Sequence, residues 1–171
     1  LYVADIGNNE GTRTTGVIYR FPEPASDQTS TDEAAIIAFE YPEEPKDAEA
    51  LLVHPETGET LILTKSPSEP TDILGFPNSP PLPAPIEAPV TLNLVGSLDL
   101  EAAGAQSTNV TAADTDGSRI VLLTDKDLLL FSGAPGDTLV QILDQQPTPL
   151  PMPKAVNPEA VAWSDAGDTI W

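Results

Sequence analysis

The feature that constrains this chain most is a hairpin pattern that occurs three times. Each copy consists of a short apolar segment, a polar turn containing glycine and a second apolar segment. The copies span residues 49–64, 109–124 and 159–171. Gly58, Gly117 and Gly167 stand at the turn position where a positive φ is favoured, which glycine adopts without a steric penalty. The pattern predicts three β-hairpins in equivalent positions of a repeat.

Two further apolar segments follow each of the first two hairpins, so that the repeating unit has four. These segments are residues 71–76, 90–97, 127–131 and 138–143. The hairpins start 60 and then 50 residues apart. Four strands at a spacing near 50 residues are typical of a β-propeller blade. A β-sandwich also has short alternating strands, but it does not require a regular spacing of hairpins.

We therefore predict an all-β fold, a β-propeller fragment of about three four-stranded antiparallel blades in a ring that this chain does not close. The predicted units are the end of one blade (1–46), two blades (47–100 and 107–150) and the start of the next (157–171). Both ends of the sequence fall inside apolar segments. We expect the remaining blades of the same protein, and a signal peptide, to lie outside this stretch.

The charge of the chain limits its partners. It has 27 acidic and 7 basic residues, a formal net charge of −20. Such a surface repels phosphate backbones and anionic lipids, so we expect neither nucleic acid nor a membrane surface as a partner. No apolar run approaches the roughly 20 residues of a membrane span. An extracellular or periplasmic protein and an ordinary soluble acidic domain both fit this charge.

The repeat predicts a polar site at one end of the blades. In a propeller, the loops before the innermost strand and after the second strand open on the same face. Glu49, Asn109 and Glu159 precede or begin the predicted innermost strands, and their oxygen atoms suit Ca²⁺ or Mg²⁺. We predict these three as metal ligands, with calcium as the cofactor. The other predicted ligand-binding residues are Asp5, Asn8, Asn9, Asp47 and Lys65.

A structural role for the same residues remains open. Each acidic side chain also fits a solvated loop or a hydrogen bond between blades, and Lys65 could balance the carboxylates without a metal. His54 is the only histidine and falls in a turn at the opposite end of its strand. We therefore do not expect a Ser-His-Asp triad that uses His54 at the predicted site.

Four segments resemble a largely uncharacterised family of secreted bacterial β-propeller proteins. They are residues 1–9, 17–24, 47–53 and 159–164. The resemblance implies a secreted protein with a further blade upstream, although Asn8 stands where aspartate is common in the family. More distantly, the chain is similar to six-bladed propellers of the gluconolactonase and phytase-like kinds. In the lactonases a glutamate, an asparagine and an aspartate hold a divalent cation, and Glu49, Asn109 and Glu159 resemble that trio.

Three hypotheses for the function follow. The first is a secreted propeller that binds a small molecule or a divalent cation at the mouth of its channel. The second is a calcium-dependent hydrolase of a lactone or phosphoester, in which the metal generates a nucleophilic water and Lys65 stabilises negative charge. The third is a protein-interaction scaffold. No residue is assigned a catalytic role, because a fold-level resemblance does not establish chemistry.

Overall fold

The computed structural model describes residues 1–30, 33–152, 158–164 and 166–171. Within these ranges it contains twelve β-strands and one short helix. The elements are β1 (Tyr2–Asp5), β2 (Thr15–Arg20), β3 (Ala35–Glu40), β4 (Ala48–Val53), β5 (Thr60–Thr64), β6 (Thr71–Gly75), β7 (Val90–Thr91), β8 (Asn93–Leu98), β9 (Val110–Thr115), β10 (Arg119–Thr124), β11 (Leu128–Ser132), α1 (Leu139–Leu143) and β12 (Thr148–Leu150). No helix of the described residues is long and apolar enough to cross a membrane.

The strands form three four-stranded sheets. Their strand orders are β1-β2-β3-β7 in the first sheet, β4-β5-β6-β8 in the second and β9-β10-β11-β12 in the third. All pairs are antiparallel except β3 and β7, which run parallel. The predicted all-β class is confirmed, and each of the three sheets has four strands.

The three predicted hairpins are present. β4 pairs with β5 and β9 pairs with β10, both antiparallel, and Trp163 forms an antiparallel bridge with Ile170. The turn glycines have positive φ angles of 70° at Gly58, 94° at Gly117 and 65° at Gly167. These angles are strained for residues with a Cβ atom, which explains why glycine recurs at the turns.

The predicted strand at 138–143 is wrong, because this segment forms the helix α1. The side-chain oxygen of Thr138 accepts from Gln141 N, and Gln141 Oε1 accepts from Thr138 N. This reciprocal capping box stabilises the first turn of a helix. The fourth strand of the third sheet is instead β12, which lies in a proline-rich stretch. Pro149 is tolerated there because β12 is an edge strand with one neighbour.

The predicted strand at 90–97 is present from Asn93 onward as β8, the fourth strand of the second sheet, but Val90–Thr91 form the separate strand β7. β7 pairs with β3 in the first sheet, and β8 pairs with β6 in the second. Leu92, between the two strands, is 1% exposed and belongs to the core that both sheets share. One continuous segment therefore ties the first sheet to the second.

The second sheet is covered on both faces. Ile62 and Leu74 pack with Phe39 of the first sheet, whereas Leu63 packs in a core that includes Phe131 of the third sheet. All five residues of β5 are buried, which explains its continuous apolar sequence in place of an alternating one. β4 and β9, the first strands of their sheets, lie side by side.

A third core joins the third sheet to the terminal hairpin around Trp163. Val121 and Leu123 are buried there, with Trp163 and Ile170 packed against them. The guanidinium of Arg119 lies 4.3 Å from the centroid of the Trp163 ring, an arrangement that a cation–π interaction stabilises. The terminal hairpin therefore packs on the third sheet as the third sheet packs on the second.

Candidate ligand-binding site

The centre of the candidate site is an ion pair at the start of β4. Lys65 Nζ lies 2.7 Å from Glu49 Oε1, and both side chains are partly exposed. The hydrogen bond to Glu49 raises the pKa of Lys65; desolvation opposes this, and the charges of Asp47 and Glu159 add to the rise. The charges of three predicted carboxylates thus act on Lys65. We call Asp47, Glu49, Lys65 and Glu159 the acidic rim.

Asn109 does not occupy the position equivalent to Glu49. The backbone N–H of Lys65 donates to Asp47 O at 2.9 Å, and that of Asp125 donates to Asn109 O at 3.2 Å. Asn109 therefore corresponds to Asp47 in the next sheet. The predicted equivalence of Asn109 and Glu49 is wrong by two residues.

The two-residue displacement comes from the lengths of the turns. Val53 pairs with Thr60, which leaves six residues between them, whereas Thr115 pairs with Ile120, which leaves four. The same number of residues before the end of β5 and before the end of β10 therefore leads to positions on β4 and β9 that are not equivalent. The residue equivalent to Glu49 is Thr111, a buried side chain that donates to the backbone inside the third sheet.

Asn109 instead belongs to a neighbouring polar cleft. Its Nδ2 donates to Asp125 Oδ2 at 3.4 Å, and the cleft of about 390 Å³ also includes Ser107, Lys126 and, from the second sheet's loop, Pro67. Burial raises the pKa of Asp125, but hydrogen bonds from Ser107 and Asn109 and the charge of Lys126 lower it below its usual value. Asp125 is thus held as an anion beside Asn109.

Asn8 joins the first sheet to the second through its amide. Asn8 Oδ1 accepts from Arg13 N at 2.8 Å, while Nδ2 donates to the carbonyls of Arg13 and Lys46 at 3.0 and 3.3 Å. The backbone N–H of Asn8 donates to Asp47 Oδ1 at 2.6 Å. Both amide hydrogens are used within the fold, which leaves none for a ligand. The predicted ligand-binding role of Asn8 has no support in these contacts.

Asp5 and Asn9 lie on the exposed part of the same loop. Asp5 Oδ1 is 2.6 Å from Arg13 Nη1, and this hydrogen bond lowers the pKa of Asp5. Asn9 is exposed. No hydrogen bond or ion pair in the described part of the chain joins Asp5 or Asn9 to the acidic rim. These two predicted residues are therefore not brought into the site by direct contact.

The chain was compared with protein-family models, with curated proteins and with solved structures. None of them matches it. The resemblance to secreted bacterial propellers therefore stays a prediction, and any case for a function rests on the geometry of the site.

Tyr41 is a residue of this region that the sequence did not indicate. Its hydroxyl is buried, and no hydrogen-bond partner for it lies among the described residues. Burial raises the pKa of Tyr41 to about 12; the charge of Asp47 adds to the rise and that of Arg13 opposes it. Tyr41 directly follows the strand β3, a place that is typical of an ordinary core residue, so no local signal marks it.

Asp127 was also missed, although a local signal exists. Its carboxylate accepts from Gln106 N, Ser107 N and Thr124 Oγ1 at 2.9, 3.0 and 3.0 Å. These bonds hold the loop that carries Asn109. Thr124 and Asp127 flank a two-residue polar turn, and side chains of these types often bond to the backbone of such turns.

The predicted calcium site has no preformed cluster around it in the described ranges. There, no group of three or more histidine, cysteine, aspartate or glutamate side chains has an arrangement that could hold a metal. The ammonium of Lys65 lies 2.7 Å from Glu49 Oε1. A cation would therefore have to compete with an ammonium group, and calcium at this position stays a prediction.

Proposed function

We propose that this chain is part of a secreted β-propeller that binds a divalent cation or a small polar molecule at the acidic rim. The observation that carries the proposal is the ammonium of Lys65, bonded to Glu49 and under the influence of Asp47 and Glu159. Three carboxylates against one ammonium leave two negative charges. Such a site attracts a cation or a ligand rich in hydrogen-bond donors.

The packing of the sheets supports the propeller. The first, second and third sheets and the terminal hairpin follow one another through three successive cores, and β4 lies beside β9. The first strands of neighbouring blades adjoin in this way around a central channel. We accordingly propose that the residues at the acidic rim line the mouth of such a channel.

The remaining blades of the same protein are the partners we propose for the outer faces of this stack. On the first sheet, Val3 and Ile36 are 47% and 40% exposed. Beyond the third sheet, Leu128, Val161 and Trp171 line an apolar cleft of about 500 Å³. Exposed apolar faces of this kind are covered by neighbouring sheets in a propeller.

The ion pair gives the site a defined chemistry. In the free protein, Lys65 acts as the internal counter-ion of Glu49, so a metal must displace the ammonium before it can use that carboxylate. A neutral polar ligand can instead accept a hydrogen bond from Lys65 and donate to Asp47 or Glu159. Replacing Lys65 distinguishes these two modes. The substitution removes a competitor of the metal, so metal binding should become stronger. It also removes a hydrogen-bond donor to the polar ligand, so binding of that ligand should become weaker.

Calorimetric titration with CaCl₂ and MgCl₂ tests whether the acidic rim binds a divalent cation. We expect Glu49→Gln to abolish measurable binding and Lys65→Met to strengthen it about three- to tenfold, since a charge at 2.7 Å no longer competes. Glu56→Gln is the matched control, because Glu56 is exposed and lies beyond the other end of β4. It should leave the affinity unchanged.

Two outcomes would contradict the binding of a divalent cation at the acidic rim. If neither ion binds the unaltered chain or the Lys65→Met variant, the acidic rim is no metal site. If Glu56→Gln weakens binding as much as Glu49→Gln, the ions respond only to the overall charge of −20.

A further inference from the structure

A second polar cleft lies at the other end of β4, five residues beyond Glu49 and thus roughly 16 Å from it along the strand. Its volume is about 640 Å³. The walls are the β4–β5 turn, the β9–β10 turn and the loop before α1, with Ser79 completing them. We call it the His54 cleft, after the single histidine of the chain.

His54 is fixed in one tautomer. The ring is 7% exposed, and its Nδ1 accepts from the backbone N–H groups of Glu56 and Thr57 at 3.2 and 3.3 Å. A nitrogen that accepts two hydrogen bonds carries no proton, so the proton of the neutral ring is on Nε2. Nε2–H has no hydrogen-bond partner among the described residues. It is the one polar group that this buried ring can offer to the cleft it lines.

The charge on the walls is of one sign. Among the described residues, four carboxylates line the cleft and no lysine or arginine does. The four are Glu56, Glu59, Asp116 and Asp137. Three of them have structural bonds: Glu59 accepts from Leu139 N, Asp137 accepts from Ala134 N, and Asp116 pairs with Arg119. Within the described chain, Glu56 has no ion pair and no side-chain hydrogen bond.

We infer that the His54 cleft binds a small hydroxylated amine, such as an amino sugar or an amino alcohol. The ammonium of the ligand is attracted by Glu56 and its neighbouring carboxylates, and a hydroxyl oxygen accepts from His54 Nε2–H. A metal ion does not fit this arrangement, because a protonated Nε2 has no lone pair to give. An anionic ligand is repelled by the walls.

The imidazole of His54 provides a direct measurement, since the chain has a single histidine and therefore a single set of imidazole NMR signals. The probes are glucosamine and glucose, which differ in the ammonium group. We expect glucosamine to shift the His54 signals in a saturable way at millimolar concentrations, and glucose to shift them at least fivefold less at the same concentration.

Two variants locate the binding. Glu56→Gln should weaken glucosamine binding about two- to fivefold, as expected for a partly exposed charge pair. Glu49→Gln, in the acidic rim, should leave it unchanged. The exposed side chain of Glu56 makes no hydrogen bond or ion pair among the described residues, so its replacement is not expected to disturb folding.

The proposal fails if glucosamine gives no saturable shift, or if glucose shifts the signals equally, because the carboxylates then play no part. It also fails if Glu49→Gln and Glu56→Gln have equal effects. Since neither probe depends on calcium, failure here leaves the proposed function of the acidic rim standing, and the calcium titration can fail without affecting this cleft.

Discussion

The two ends of β4 show two ways of placing polar groups on one buried strand. At its start, Glu49 is matched by Lys65, a side chain just beyond the end of the neighbouring strand β5. Beyond its end, His54 is matched by the backbone of its own turn, and no lysine or arginine of the described chain lines the cleft. The first end depends on a charge pair, whereas the second depends on the shape of a turn.

Local backbone geometry produces this difference. The pairing of β4 with β5 shifts between Ala48 and Ala50, so Glu49 is an extra residue with no partner in the register. Such a bulge redirects a side chain at a sheet edge. At the far end, the chain turns through Gly58 with a φ of 70°. We therefore expect changes at one end to leave the other end intact. Of the three substitutions that follow, Gly117→Ala tests this independence directly, and the other two test the burial of the residues between and beside the ends.

The largest effect is expected from Leu52→Ala, in the part of β4 between the two ends. Leu52 is fully buried in the core between the second and third sheets. Removing the side chain leaves a cavity and should lower the free energy of unfolding by about 2–5 kcal/mol, measured by urea denaturation. Leu51→Ala, at a partly exposed position, should cost clearly less. Equal losses for the two variants would contradict the packing of β4 described here.

A smaller effect, confined to the His54 cleft, is expected from Gly117→Ala. Gly117 has a φ of 94°, and a Cβ atom there would lie 3.1 Å from Pro55 Cγ and 3.3 Å from His54 Cε1. The strain should cost about 1–3 kcal/mol of stability and shift the His54 imidazole signals. Gly7→Ala is the matched control, because Gly7 has no such φ and no atom within 4 Å of an added Cβ.

Calcium titration of the Gly117→Ala variant completes that comparison. The affinity at the acidic rim should match that of the unaltered chain. A change in calcium binding as large as the change in the imidazole signals would show that the two ends of β4 are coupled.

The hairpins and the middle sheet could be predicted because their signals are local. Apolar segments joined by a turn containing glycine specify a hairpin wherever they occur, and the continuous apolar run of β5 indicates burial on both faces. The segment 138–143 shows the limit. Leu139, Ile142 and Leu143 also have helical spacing, and short apolar runs fit either structure. Thr138 and Gln141, the capping residues, were the signal that decides for the helix.

The candidate site was only partly predictable from the sequence. The pairing of Glu49 with Lys65 follows from placing both at the same edge of one hairpin. Asn109 was misplaced because aligning the segments by sequence ignored the unequal turns. Two features depend on contacts between distant segments, which no local pattern contains. They are the buried hydroxyl of Tyr41 and the effect of Glu159 on Lys65.

The smallest effect at neutral pH is expected from Tyr41→Phe, near the acidic rim. Removing a buried hydroxyl that has no partner in the described chain should change stability by at most about 1 kcal/mol, and in the favourable direction.

The same substitution has a larger consequence at alkaline pH. Burial raises the pKa of Tyr41 to about 12, against about 10 in an unfolded chain. Between these values the folded state holds a proton that the unfolded state has lost, so stability falls as the pH rises through this range, by about 2–3 kcal/mol. The raised pKa of Lys65 acts in the same direction.

Urea denaturation at pH 9 and pH 11 should show a smaller loss of stability in Tyr41→Phe than in the unaltered chain. The control Tyr19→Phe, at a partly exposed tyrosine, should behave like the unaltered chain. If Tyr41→Phe loses as much stability as the unaltered chain, then Tyr41 reaches solvent at the acidic rim, and that end of β4 is more open than the end at His54.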